Sequence, residues 1–293
     1  MNPILLSADS TCDIGQELKE RYDVQFFSFH ILLGEKDYID MVDITPDEIY
    51  RAWRERGILP KTSAVTSMDY LAYFRPWVEK GYDVLHLNLG SALSSSYDNC
   101  SMVAENLNQE MPGKIYLVDS ENLSTGIGHL VVKAGEMIQE GLLASEIQQR
   151  LLSLRAHCHT SFLLDTLEFM KAGGRCNAIT ALGASLLHIK PCILVDNRGG
   201  GKMGVGKKYQ GSMSRVLKNY IREQLEGRRN LDVNRLFITH SGASEEDIHL
   251  TKEEVAKYAS FREIFVTQAS STISCHCGPR SLGILYMTQP DGA

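Results

Sequence analysis

Over its first half the chain repeats one unit: a short apolar run that reads as a buried strand, a turn of small polar residues, then apolar residues at helical spacing. The strand-like runs are Ile4-Leu5-Leu6-Ser7-Ala8, residues 24–33, Val84-Leu85-His86-Leu87 and Ile115-Tyr116-Leu117-Val118. Helical patterns follow at residues 13–20, 45–56, after Ser67, after Ser94 and at about 124–139. Thr45-Pro46-Asp47-Glu48 supplies an N-cap, a proline at the first helical position and an acidic first turn, and Gly57 stops that helix. Strands joined through helices run parallel, because each helix returns the chain to the edge it left. The prediction is an α/β fold: a three-layer α/β/α unit around a mainly parallel sheet, with ligands beyond the carboxyl ends of the strands.

The second half loses that rhythm. A helix over about 145–155 ends in a polar segment, Phe162-Leu163-Leu164 precedes a helical turn closing at Gly173-Gly174-Arg175, and residues 178–187 read as a further helix. In the strand Ile189-Lys190-Pro191-Cys192-Ile193-Leu194-Val195 the proline has no N–H for a ladder and favours an edge or entry position. The glycine-rich residues 196–201 read as a hairpin into residues 203–209, and a basic helix follows over about 212–225. Residues 235–239, a helix within 245–258, residues 263–266 and residues 282–286 complete a mixed α+β unit. At 293 residues the chain is longer than one core usually serves. The change of rhythm places a boundary near residue 156, giving domains 1–156 and 157–293.

Two stretches of small hydroxyl residues stand ahead of helical patterns: Lys61-Thr62-Ser63-Ala64-Val65-Thr66-Ser67 and Gly90-Ser91-Ala92-Leu93-Ser94-Ser95-Ser96-Tyr97. Both are expected at helix N-termini, where free N–H groups and the helix dipole favour an anion. Neutral hydroxyl donors suit a carboxylate better than a polyphosphate. A plain capping role for Ser67, Ser91 or Ser94 is the competing explanation.

A net charge of -6 argues against nucleic acid. No apolar run reaches the roughly 18 residues that cross a bilayer, so stable membrane insertion is not expected. Met1-Asn2-Pro3 does not open a signal peptide, and a cytoplasmic location is expected. Seven cysteines, odd in number and irregular in spacing, fit free thiols in a reducing compartment. Residues 201–208 imitate a phosphate-binding loop, but Lys208 stands where Ser or Thr must reach magnesium. His157-Cys158-His159 and Cys275-His276-Cys277 lack the spacing of zinc ligand pairs, so neither metal nor cofactor is expected. No Gly-x-Ser-x-Gly elbow frames a serine, and no Gly-x-Gly-x-x-Gly follows a strand.

Seven short motifs, in order and spacing, resemble those of the DegV family: Asp9-Ser10-Thr11-Cys12-Asp13, Thr62-Ser63, Leu93-Ser94, Val118-Asp119-Ser120, Lys171-Ala172-Gly173-Gly174-Arg175, Ile189-Lys190-Pro191 and His276-Cys277-Gly278-Pro279. The resemblance spans nearly the whole chain. It implies a two-domain bacterial protein holding one long-chain fatty acid, such as palmitate, in an apolar tunnel between the sheet and helices of the first domain. The carboxylate would lie at the domain interface, and some members serve as carrier subunit of a fatty-acid kinase. By the same resemblance Thr62 and Ser94 bind the carboxylate, with Ser63, Ser95, His276 and Arg175 near it, and the protein is a carrier with no catalytic residues. Three positions depart from the family: Ser95, Gln210 and Arg280 stand where it usually has Gly, Arg and Gly, on the side that serves phosphate transfer. The competing class is a serine hydrolase or acyltransferase with Ser94 as nucleophile and His276 as base.

Overall fold

The computed structural model describes residues 2–174 and 189–290. Arg175, Cys176 and the helix expected over 178–187 lie outside the described residues. The first half runs β1 (Ile4–Asp9), α1 (Gly15–Arg21), β2 (Gln25–Phe27), β3 (His30–Leu33), β4 (Lys36–Ile39), α2 (Pro46–Arg56), β5 (Lys61–Thr62), α3 (Ser67–Glu79), β6 (Asp83–Asn88), α4 (Ser96–Glu110), β7 (Ile115–Asp119), α5 (Thr125–Gln139) and α6 (Ala144–Leu154). Strands β2, β1, β6 and β7 lie side by side in that order and all run parallel. Two helix pairs, α3 with α4 and α5 with α6, cover this sheet in the expected three-layer arrangement. Thr45 and Glu48 form a reciprocal capping box on α2, Pro46 fills its first position, and Gly57 ends it at φ 66°.

Residues 24–33 are not one strand. The chain turns at Phe29, whose N–H donates to Ser10 Oγ at 3.3 Å and whose carbonyl accepts from the Asp40 N–H at 2.8 Å. Strand β2 stays in the parallel sheet, while β3 joins β4 and β5 in a separate antiparallel one.

The second half runs β8 (Cys158–Leu163), α7 (Glu168–Ala172), β9 (Ile189–Asp196), β10 (Lys202–Gln210), α8 (Met213–Leu225), β11 (Leu231–Ser241), α9 (Glu245–Val255), β12 (Glu263–Gln268), α10 (Ser271–Cys277) and β13 (Ser281–Thr288). Its sheet, in the order β10-β9-β8-β13-β11-β12, is mixed: β11 and β12 are parallel and the other neighbours antiparallel. Strand β8 occupies what reads as a polar segment. Two of its polar side chains meet partners from elsewhere in the chain: His159 Nε2 lies 3.1 Å from Thr288 Oγ1, and Ser161 Oγ 2.8 Å from the Tyr220 hydroxyl. Pro191 takes an entry position on β9, an interior strand, beside an irregularity in β10 between Val205 and Lys208.

Helix α5 lies between the two large sheets, packing against β1 and β6 and also against β8 and β13. A Cβ at Gly128 would strike Ile14, and one at Gly126 would strike Asn122 and Thr160, so the helix approaches both halves more closely than a side chain allows. His129 Nε2 lies 3.0 Å from the Leu285 carbonyl, and burial holds its imidazole down at about 4, hence neutral. One apolar cluster therefore runs from Leu5 and Val84 through Ile127 and Leu130 to Phe237 and Leu285. Cys12, Cys100, Cys158, Cys192, Cys275 and Cys277 are buried free thiols. Among the described residues no helix is long and apolar enough to cross a membrane.

Candidate functional site

Where the two halves meet, a cavity of about 60 Å³ is walled by Thr62 and Ser63, Leu89, Leu93 and Ser94 after β6, Phe162 of β8, and Ile273, His276 and Cys277 of α10. A second cavity of about 40 Å³ shares Leu123, Phe162, Ile273 and Cys277 with it and continues to Gly283 and Leu285 of β13. The space that these two cavities mark lies between the halves. Long-range packing, which no local pattern encodes, decides its place.

Thr62 reaches the cavity from a strand, not a helix. It pairs with Ile31 across β5 and β3, and Thr66, four residues on, caps α3 in a capping box with Asp69. Both hydroxyl stretches lead directly into a helix, the first into α3 and the second into α4, where Ser94 Oγ accepts the Ser96 N–H at 3.2 Å and lies 2.8 Å from Ser96 Oγ. Ser96 and Asn99 then hold the backbone of Val65, its N–H at 3.1 Å and its carbonyl at 2.7 Å. Val65 so joins the two stretches. Ser63 lines the cavity; Ser95 does not, standing exposed at the N-cap position of α4 with no capping bond. Ser91 is spent on Asp119, to which it gives its N–H at 3.0 Å and its hydroxyl at 2.6 Å.

His276 Nε2 lies 2.8 Å from Thr62 Oγ1. The helix that carries it is held at its other end by two buried acids. Asp13 accepts the Ser270 N–H at 2.8 Å and the Ser124 hydroxyl at 2.6 Å, and Asp40 accepts the Ser271 N–H at 2.9 Å and the Ser10 hydroxyl at 2.8 Å. Burial pushes the Asp13 carboxyl up to about 7 and raises that of Asp40, against the lowering effect of those donors. Sequence reasoning missed Asp13 and Asp40 as supports. The available signal was a cluster of small polar residues at the carboxyl end of a buried strand, where functional groups gather. Gly173 backs the imidazole so closely that a Cβ there would strike Nδ1. Gln210 ends β10 opposite Ile189, and Arg280 is exposed, 3.7 Å from Asp247, in a left-handed conformation with φ 59°.

Among the described residues no group of three His, Cys, Asp or Glu is placed to hold a metal. A family model described as "Uncharacterised protein, DegV family" matches residues 3–289. The chain belongs to the DegV family. A DegV domain-containing protein of Clostridium perfringens is 26% identical over 99% of this chain and 100% of its own. One from Clostridium acetobutylicum is 28% identical, again over 99% and 100%. The solved structure of a fatty-acid-binding DegV family protein from Thermus thermophilus matches at a TM-score of 0.85 and 28% identity, covering 98% of this chain and 100% of that one. In this DegV chain the family-like residues Thr62, Ser63, Ser94 and His276 come to one cavity wall, and Ser95 stays outside it.

Proposed function

We propose that the protein is a non-catalytic cytoplasmic carrier of one long-chain fatty acid of palmitate size. The carboxylate meets Thr62 and Ser94, with Ser63, His276 and Arg175 beside it, and the chain enters the path between the halves. The observation that carries this reading is the convergence of Thr62, Ser94 and His276 on one wall of a mainly apolar cavity, in a family whose Thermus thermophilus member binds fatty acid. Each buried methylene contributes about 0.8 kcal/mol, so the chain supplies most of the affinity and the polar wall fixes its direction. Met170 and Met203 in the walls are the adaptable side chains that make room. Native mass spectrometry of the purified protein, followed by organic extraction, is expected to yield one fatty acid per chain. Repeated extraction without fatty acid, and no uptake of added palmitate, overturns the reading.

The hydrolase alternative requires Ser94 bonded to His276. Here His276 Nε2 is engaged by Thr62, and Ser94 Oγ by Ser96. Intact mass after incubation with an activated acyl ester is therefore expected to stay unchanged. Presentation to a fatty-acid kinase subunit is a separate part of the proposal, checked by acyl-phosphate formation with that subunit and ATP. Ser95, Gln210 and Arg280 weigh against it on the transfer side, whereas lipid binding does not depend on them.

A further inference from the structure

Between the β9–β10 hairpin and the end of α8 lies a larger groove of about 490 Å³. Leu194 and Val205 give it apolar surface, and Lys202, Gln224, Arg228 and His159 give it polar surface. Arg228 is positioned without being neutralised: Nε donates to the Gln224 carbonyl at 2.8 Å and the guanidinium lies 5.7 Å from the centre of the Tyr286 ring. Among the described residues neither Arg228, Lys202 nor the nearby Arg198 forms an ion pair. Asp196, the carboxylate in the lining, is occupied by the hairpin, its Oδ1 accepting the N–H of Arg198 at 3.2 Å and of Gly199 at 2.9 Å. His159 stacks on Tyr286 at 5.1 Å. Burial first, and then Arg228, Arg198 and His157, drive its imidazole down to about 4. Two cations, Arg228 and Lys202, and one carboxylate, Asp196, thus face one groove of a chain whose net charge is -6.

We propose that this groove binds a small phosphorylated molecule, its phosphate held by Arg228 and Lys202 and its apolar part lying on Leu194 and Val205. A guanidinium with no carboxylate partner offers the planar fork that pairs with phosphate oxygens, and a lysine adds a point charge. The contrast with the first cavity is chemical, since neutral hydroxyls and one imidazole line that one. The groove touches the first cavity only through Met203 and the second only through Thr160. Fatty-acid binding is not needed for this inference.

Calorimetric titration of the full chain at moderate salt, with and without added palmitate, tests it, using phenyl phosphate, inorganic phosphate and benzoate as probes. Phenyl phosphate is expected to bind saturably and more tightly than either of the others, equally well in both preparations. Arg228→Gln and Lys202→Gln are each expected to weaken it at least about tenfold, and Arg228→Lys to fall between, while Lys208→Gln, an exposed cation outside the groove, leaves it unchanged. Thermal melts of the variants, all at exposed positions, are expected to overlay that of the parent. Absence of saturable heat, benzoate binding as tightly as phenyl phosphate, or an equal loss in Lys208→Gln overturns the proposal.

Discussion

Thr62 and His276 stand 214 positions apart in the chain and 2.8 Å apart in the fold. If they and Ser94 face a carboxylate, Thr62→Val and Ser94→Ala each remove a neutral donor to a charged acceptor, about 1.5–3 kcal/mol, and palmitate affinity is expected to fall roughly ten- to a hundredfold. Wild-type affinity in the double variant would place the carboxylate elsewhere. Gly173→Ala fits the backbone, which is right-handed there at φ -73°, but its methyl displaces the imidazole. Its effect on affinity is expected not to add to that of Thr62→Val, because both break one contact; full additivity in a double-mutant cycle would refute that coupling. Asp13 gives a pH signature of its own. Its carboxyl is raised from 3.8 to about 7, so it binds a proton in the fold that the unfolded chain has released. Its contribution to stability is then complete below about pH 4 and lost as pH rises through 7. Urea midpoints measured from pH 4 to pH 8 are expected to decline over that window and to flatten in Asp13→Asn.

Helices and strands differ in how well the sequence announces them. Helix α2 was legible to the residue because Thr45, Pro46, Glu48 and Gly57 act locally. Strand β8 was not, because the partners that make His159 and Ser161 tolerable inside a sheet come from Thr288 and Tyr220, far along the chain. The break between β2 and β3 escaped notice for the same reason: Ser10 and Asp40 impose it. Helix α10, seven residues long, is too short to show a period, and no helix was expected there. Its position depends on the acids before it. Asp40→Ala would leave the Ser271 N–H and the Ser10 hydroxyl buried without that acceptor, at about 1–3 kcal/mol for each group left unpaired. It is expected to lower the unfolding midpoint and also palmitate affinity, since Ile273, His276 and Cys277 ride on α10. Lower stability with unchanged affinity would separate the anchor from the site.

At the scale of the whole molecule, the alternation of strands and helices made the parallel sheet legible, and the loss of that rhythm made the second, mixed sheet legible. A site at the interface of the halves was expected from the family resemblance alone, because the walls of the cavity depend on how α5 brings the halves together. That helix packs on both sheets, and the apolar cluster running through it includes Leu5 and Val84 on one side and Phe237 and Leu285 on the other. Cutting near residue 156 would expose Cys158, Leu285 and Met287 on one fragment and Ile127 and Leu130 on the other, all now buried in that cluster. The two halves are therefore expected to unfold as one cooperative unit, even though their strands divide between Asp119 and Cys158. Scanning calorimetry should show a single transition whose calorimetric and van't Hoff enthalpies agree. Palmitate, gripped by walls from both halves, should move that transition upward as a whole, by about 2.7 kcal/mol of stability at a hundredfold excess over its dissociation constant. Two transitions, of which palmitate moves only one, would show that the halves fold independently and that the ligand belongs to one of them.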